Sequence, residues 1–410
     1  MERVARPVSL LLVLGCACAT LILGGALKAP CASGDWGDGR QYRRFCYSDV
    51  VPLLQTEQLT AGRLPFLQAC LETGGQCDEY PVLTMYFMRV AEWIGGSTAA
   101  GFFTANAILL WICAAAIATF LYMLGGKALR FALAPTLLIY GFMNWDLFAV
   151  AFATGALVAF ARRRDGLAGI LLGLGAAAKL YPVMLAVPLI AHRLRDREPD
   201  AAIKIGWATV GTWLVVNLPF ALASPSGWST FFRFNAARRA DWDSLWYIGC
   251  NHVHVAAICD DTSRINVLSL VLFMTSFALV WLWKRRREPT FARWSLAFPM
   301  LVLFLLSNKV YSPQYGLWLL PFFALGVVEL PAFLAFEAVD VAVFVSRFSF
   351  FGRLSGVGGL PFGVFEIAIA ARTAILVWCV VSWIRRPSSD LAQLDHLMVV
   401  DQLAEARAPA

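Results

Sequence analysis

Residues 8–27 read VSLLLVLGCACATLILGGAL, and this run decides the fold. It carries no charge over about 20 residues, the length of one membrane crossing. No clean small-x-small cleavage site closes it, so it reads as a retained first helix rather than a signal peptide. VLGC at 13–16 has the outline of a lipidation motif, but Cys16 lies mid-helix. Similar apolar runs recur along a chain of 410 residues, 59% apolar and only 15% charged. A soluble chain of this length needs more charge to cover its surface. The pattern specifies an all-α polytopic membrane protein embedded in the lipid bilayer.

The net charge of +7 is not a nucleic-acid signal. The basic residues fall in short clusters between apolar runs: RRR at 162–164, HRLRDR at 192–197, KRRR at 284–287 and RR at 385–386. Such clusters mark cytoplasmic loops. Placing them inside threads about 12 transmembrane helices through the bilayer. The spans fall near 8–27, 99–122, 131–144, 146–161, 166–179, 181–192, 203–222, 264–283, 291–307, 315–329, 332–346 and 362–384. Residues 28–98 form a large first extracytoplasmic loop and 223–263 a second. Within the first, EYPVLTMYFMRVAEWIGG at 79–96 is amphipathic and reads as a helix lying at the interface. The whole of 1–386 is one membrane domain, and 387–410 is a mobile cytoplasmic tail. No internal repeat is evident.

This threading sends the unusual polar residues to the outer face. FCYSDVVPL at 45–53 places Asp49 just beyond the first span. Such a carboxylate suits a general base that takes a proton from an acceptor hydroxyl. The same Ser-Asp pair also reads as a helix N-cap. Lys179 ends an apolar span on the outer side, against the positive-inside rule. It either holds a lipid phosphate or snorkels to the surface. RRADWDSLWY at 238–247 mixes cations that bind phosphate with aromatics that stack on sugars. DWD within it has the outline of a metal-binding DxD, but three residues do not specify a site. His252 and His254 read as solvated loop residues. NKVYSPQYGLWLLP at 308–321 turns backbone amides and Gln314 toward the outer crevice, or simply starts a helix.

Cys16, Cys18, Cys113 and Cys379 lie inside spans and read as packing residues. The other six cysteines lie in outer loops, where an oxidising compartment favours disulfides. Cys70 with Cys77 and Cys250 with Cys259 are the natural close pairs, leaving Cys31 with Cys46. Spacing alone leaves other pairings open. No CxxC spacing supports a zinc site.

YSDVVPL, EYPVL, KLYPVMLAVP and SPQYGLWLLP occur in order along the chain. Together they resemble the actinobacterial members of glycosyltransferase family 87, membrane enzymes of the GT-C fold. The resemblance spans about residues 10–385. It implies a polyprenyl-phosphate sugar donor such as polyprenyl-phosphomannose, a catalytic aspartate matched by Asp49, and inversion at the anomeric carbon. The acceptor is then a cell-envelope glycolipid or glycan, and the active site faces outward from the plasma membrane. Mannose is favoured over arabinofuranose. Lys179, Arg238 and Arg239 are the candidates for the donor phosphate. Glu79, Tyr80, Asp146, Tyr181, Trp242, Asp243, Gln314 and Tyr315 are those for sugar and acceptor. No cofactor, divalent metal or nucleic acid is expected. The insert DWGDGRQYRR at 35–44 and the extra cysteines depart from the family pattern.

The alternative is a transporter or flippase of lipid-linked sugars that makes no bond. Transporters place their polar residues near mid-membrane and often use repeats. The one-sided distribution here favours the enzyme.

Overall fold

The computed structural model describes residues 8–71 and 77–387. Arg3 and Arg6, the basic residues expected to hold the N-terminus inside, lie outside the described residues, as does nearly all of the tail at 387–410. Every regular element among the described residues is helical.

Helix α1 (Leu10–Lys28) starts at Ser9, whose hydroxyl accepts from Leu12 N–H at 3.2 Å. The first loop carries α2 (Val50–Thr56) and α3 (Val82–Gly95). Then come α4 (Ala99–Met123), α5 (Asp146–Ala161), α6 (Asp165–Ala178), α7 (Pro182–Arg195) and α8 (Pro199–Ala223). The second loop contains α9 (Thr230–Ala237) and α10 (Leu245–His252). The chain continues through α11 (Thr262–Arg287), α12 (Ala297–Ser307), α13 (Leu330–Leu354) and α14 (Phe362–Arg385).

Among the described residues, five helices are long and apolar enough to cross a membrane: α1, α4, α8, α11 and α14. Other expected spans are shorter or interrupted. The segment expected at 131–144 is two short helices, Leu129–Ala132 and Pro135–Tyr140. That expected at 315–329 is a 3₁₀ turn, Pro313–Trp318, followed by Leu320–Ala324. Proline opens or falls within each break, where it removes a backbone donor. Most residues of these breaks are buried in protein, which keeps irregular backbone away from lipid. In contrast, α13 runs unbroken and carries Glu337, Asp340, Arg347 and Arg353.

Helix α3 turns its charges inward and an apolar face outward. Arg89 and Glu92 are buried and pair with each other at 2.8 Å, while Val90, Trp93 and Ile94 are exposed. The i, i+3 spacing lets the two charges satisfy one another, so they face inward. Helix α6 lies along α8. A Cβ on Gly169 would come within 2.5 Å of Ile205 O, and one on Gly173 within 2.6 Å of Thr209 O. Only glycine permits that approach of two membrane helices.

The two ends of the bundle differ in chemistry. At one end the basic clusters tie loops together. Arg163 pairs with Glu198, and Arg193 with Asp165 at 2.8 Å. Arg130 donates to Phe323 O at 3.0 Å, and Arg386 to Gly326 O at 2.7 Å. At the other end Asp49, Asn144, Lys179, Arg238, Lys309 and Arg347 surround a cavity of about 700 Å³.

Candidate active site

The segment before α2 is pinned on several sides. A disulfide joins Cys46 to Cys31, and Lys28 Nζ donates to Tyr47 O at 2.8 Å. Ser48 Oγ donates to Phe142 O at 2.7 Å, and Asp49 N–H to Met143 O at 2.8 Å. Asp49 occupies the N-cap position of α2, yet its side chain makes no capping bond. The carboxylate turns to the cavity instead. Oδ2 accepts from Asn144 Nδ2 at 2.8 Å and from Gln314 Nε2 at 3.4 Å. Tyr47 lines the cavity beside it, and the Asp49 charge bears on the Tyr47 hydroxyl.

Asn144 is held in turn. Its Oδ1 accepts from Trp145 N–H at 2.7 Å, which sets the amide orientation. Its Nδ2 also donates to the Tyr80 hydroxyl at 2.7 Å. Trp145 Nε1 donates to Asn106 Oδ1 of α4 at 2.7 Å. The base candidate is thus fixed through three parts of the chain.

Lys179 lies against a stack of rings. Tyr315 and Tyr181 stack on either side of Trp318, with centroids 4.1 and 4.2 Å away. Lys179 Nζ sits 5.0 Å from the Tyr315 ring and 2.6 Å from Asp146 Oδ1. Trp318 Nε1 donates to the same oxygen at 2.6 Å. Asp146 is fully buried behind the cavity wall.

The opposite wall comes from the second loop and from the break after α12. Arg238 pairs with Asp241 at 3.3 Å. Asp241 N–H donates to Lys309 O at 2.8 Å, and Lys309 Nζ to Ala236 O at 3.0 Å. Burial, then the Arg238 charge, lowers the Lys309 amine to about 8. Burial raises the Glu79 carboxyl; the Arg238 charge opposes this and the Asp49 charge adds to it. Arg347 pairs with Asp243 behind the wall. Burial pushes Asp243 up to about 6, against the attraction of Arg347 and Arg372.

Of the residues named from sequence, Asp49, Glu79, Tyr80, Lys179, Tyr181, Arg238, Gln314 and Tyr315 line the cavity. Asp146 and Asp243 stand behind it, each spent on a cation. Arg239 is exposed and does not line it. Trp242 packs with Tyr247, Phe350 and Phe362 instead. Sequence reasoning assigned no role to Tyr47, Asn144, Asp241, Lys309 or Arg347, all of which line the cavity. For Arg347 a signal existed. The threading places it just past an outer helix end, against the same rule that exposed Lys179.

Disulfides also join Cys70 to Cys77 and Cys250 to Cys259. Cys70, Cys77 and Asp78 form a cluster of metal-ligand type. Its thiols are in that disulfide, and Asp78 is paired with Arg63.

A profile of glycosyltransferase family 87 matches residues 79–307, more than half of the chain. No curated protein matches it. Among solved structures, the apo oligosaccharyltransferase of Archaeoglobus fulgidus is similar at a TM-score of 0.43 and 11% identity. The similarity covers 93% of this chain and 56% of that one, so this chain spans little more than half of its length. A likeness so distant says nothing of activity. The family match begins at Glu79, so the role of Asp49 rests on geometry. The matched span holds α3 to α12, with Lys179 and Arg238 among the cavity residues. The chain belongs to glycosyltransferase family 87 and is a multi-pass membrane protein.

Proposed function

We propose that the protein transfers a sugar, mannose in preference to arabinofuranose, from a polyprenyl-phosphate donor to a hydroxyl of a cell-envelope glycolipid or glycan. The reaction takes place at the outer face of the plasma membrane and inverts the anomeric centre. One observation carries this reading: an oriented carboxylate, Asp49, lines the same cavity as the cations Arg238 and Lys309.

Asp49 takes the proton from the acceptor hydroxyl. The acceptor oxygen bonds to the anomeric carbon as the bond from that carbon to the phosphate oxygen breaks. The polyprenyl phosphate leaves with the electron pair, its charge met by Arg238 and Lys309. Lys179 contributes less to the phosphate, because Asp146 already neutralises it. Its place is to support the ring stack on which a sugar lies. Phe231, Phe234 and Phe304 line the cavity too, an apolar wall suited to the first isoprene units.

The test is purified protein in nanodiscs with radiolabelled polyprenyl-phosphomannose and a cell-envelope glycolipid extract as acceptor. Label should move to the extract with the parent and not with Asp49→Asn. Equal transfer by both proteins removes Asp49 from the reaction. In sealed proteoliposomes, movement of intact donor across the bilayer without transfer supports a flippase instead.

A further inference from the structure

Residues 57–71 and 77–79 build much structure around one side chain. Asp78 has a left-handed backbone, φ 62°. Few non-glycine residues adopt it, and strain of this kind gathers at functional positions. Arg63 grips the Asp78 carboxylate with both terminal nitrogens, at 3.0 and 2.8 Å, and both side chains are buried. Phe66 N–H donates to the same carboxylate at 3.2 Å. Glu57, also buried, accepts the backbone N–H of Asp78 at 2.6 Å and of Glu79 at 3.2 Å. Cys77 is tied to Cys70. A buried ion pair, a buried acid and a disulfide thus converge on the two residues before Tyr80.

Their product is the placement of Glu79. Its side chain lines the cavity and accepts no hydrogen bond among the described residues. The other carboxylates on the cavity wall are engaged. Asp49 holds Asn144, and Asp241 holds Arg238, Ser312 and its neighbour's N–H. Glu79 interacts with the charges of both Arg238 and Asp49. All three line one cavity, and the neighbouring Tyr80 accepts from Asn144, which holds Asp49.

Inverting displacement puts the anomeric carbon between the acceptor oxygen and the leaving phosphate oxygen. Glu79 lines the cavity that holds that carbon, on a wall tied to the base through Tyr80 and Asn144. We propose that Glu79 is a specificity-determining residue, which accepts a hydrogen bond from the 2-hydroxyl of the transferred sugar, beside the anomeric carbon. This rests on the polyprenyl-phosphate donor reading above. A carboxylate is an acceptor only, so it selects a hydroxyl over its deoxy counterpart. The bond strengthens as positive charge grows on the sugar ring in the transition state. Glu79 therefore acts on turnover more than on donor affinity.

The experiment compares parent and Glu79→Gln on three donors: polyprenyl-phosphomannose and its 2-deoxy and 4-deoxy analogues. Both proteins are first matched for thermal unfolding in nanodiscs. Glu79→Gln should lower kcat about 10- to 100-fold on the full donor and on the 4-deoxy analogue, as expected for a charge-assisted hydrogen bond. On the 2-deoxy analogue it should change kcat by less than about 3-fold, since the partner is already gone. The same loss on all three donors overturns the proposal and points to the acceptor or the fold. So does parental activity of Glu79→Gln throughout. No transfer by the parent from any of the three overturns the donor reading itself, and it is recognised without any variant.

Discussion

Asn144 holds Asp49 through a single bond of 2.8 Å from Nδ2 to Oδ2, across 95 residues of sequence. The amide cannot flip without losing its bond from Trp145 N–H. Asn144→Ala should lower kcat about 10- to 100-fold with little change in donor KM, because a base misplaced by an ångström loses about that much. Asp49→Asn should lower kcat by about 10²–10⁴, the usual loss for a positioned base. Single-turnover kinetics on folded protein separates the two. If Asn144→Ala turns over like the parent, the amide does not position the base. If Asp49→Asn does, Glu79 is the next carboxylate to replace.

Lys309 gives the donor site an alkaline limb. Its amine titrates at about 8, so it is charged below that pH and neutral above. A phosphate binds the charged form, so donor affinity should fall as pH rises through about 8. The kcat/KM profile for the donor reports this group in the free enzyme. Lys309→Arg stays charged over the whole range and should remove the limb. A parent profile flat between about pH 6.5 and 9.5, about 1.5 units either side of the amine's midpoint, counts against Lys309 as a phosphate ligand.

The Arg63–Asp78 pair is a stability element, with side chains only 4% and 3% exposed. Removing one partner from a buried pair costs about 3–5 kcal/mol. Arg63→Ala should therefore lower the unfolding midpoint and release the Asp78 backbone, with loss of transfer. Arg63→Met combined with Asp78→Ala should recover part of the midpoint, since no charge is left unpaired. A midpoint unchanged by Arg63→Ala would show that the loop is held by its disulfide alone.

Sidedness follows from the two unlike ends of the bundle. Ser355 is exposed beyond α13 at the cavity end, and Asp200 is exposed at the basic end. In intact cells, Ser355→Cys should react with a membrane-impermeant maleimide, and Asp200→Cys only after permeabilisation. The opposite pattern would place the cavity in the cytoplasm.

The long helices were legible because hydropathy averages over some 20 residues, and α4, α8, α11 and α14 end within a few residues of their expected limits. The breaks at Pro135, Pro313 and Pro321 were not, although each proline is visible, because the same averaging smooths them into neighbouring apolar residues. Lys179 stood out by breaking a charge rule. Arg347 broke it equally, but it lies inside a longer helix than the pattern suggested. Within RRADWDSLWY, Arg238 and Asp241 face the cavity while Arg239, Trp242 and Asp243 do not. A loop has no periodicity from which to read that choice. The partnership of Asn144 with Asp49 depends on tertiary approach alone, and no local pattern announces it.

Cys46 lies three residues before Asp49, and its disulfide to Cys31 closes a stretch with a sequence separation of 15. Both cysteines are fully buried. The timing of maturation follows. A nascent chain can complete its insertion while these thiols are still reduced, but the segment bearing the base is then tethered only by weak bonds. We expect such a chain to be inserted yet inert, and to gain turnover only when an oxidant reaches it before the loop packs shut. Membranes from cells lacking their thiol-oxidation machinery should contain normal amounts of protein with little transfer, and Cys31→Ser combined with Cys46→Ser should reproduce that state in any host.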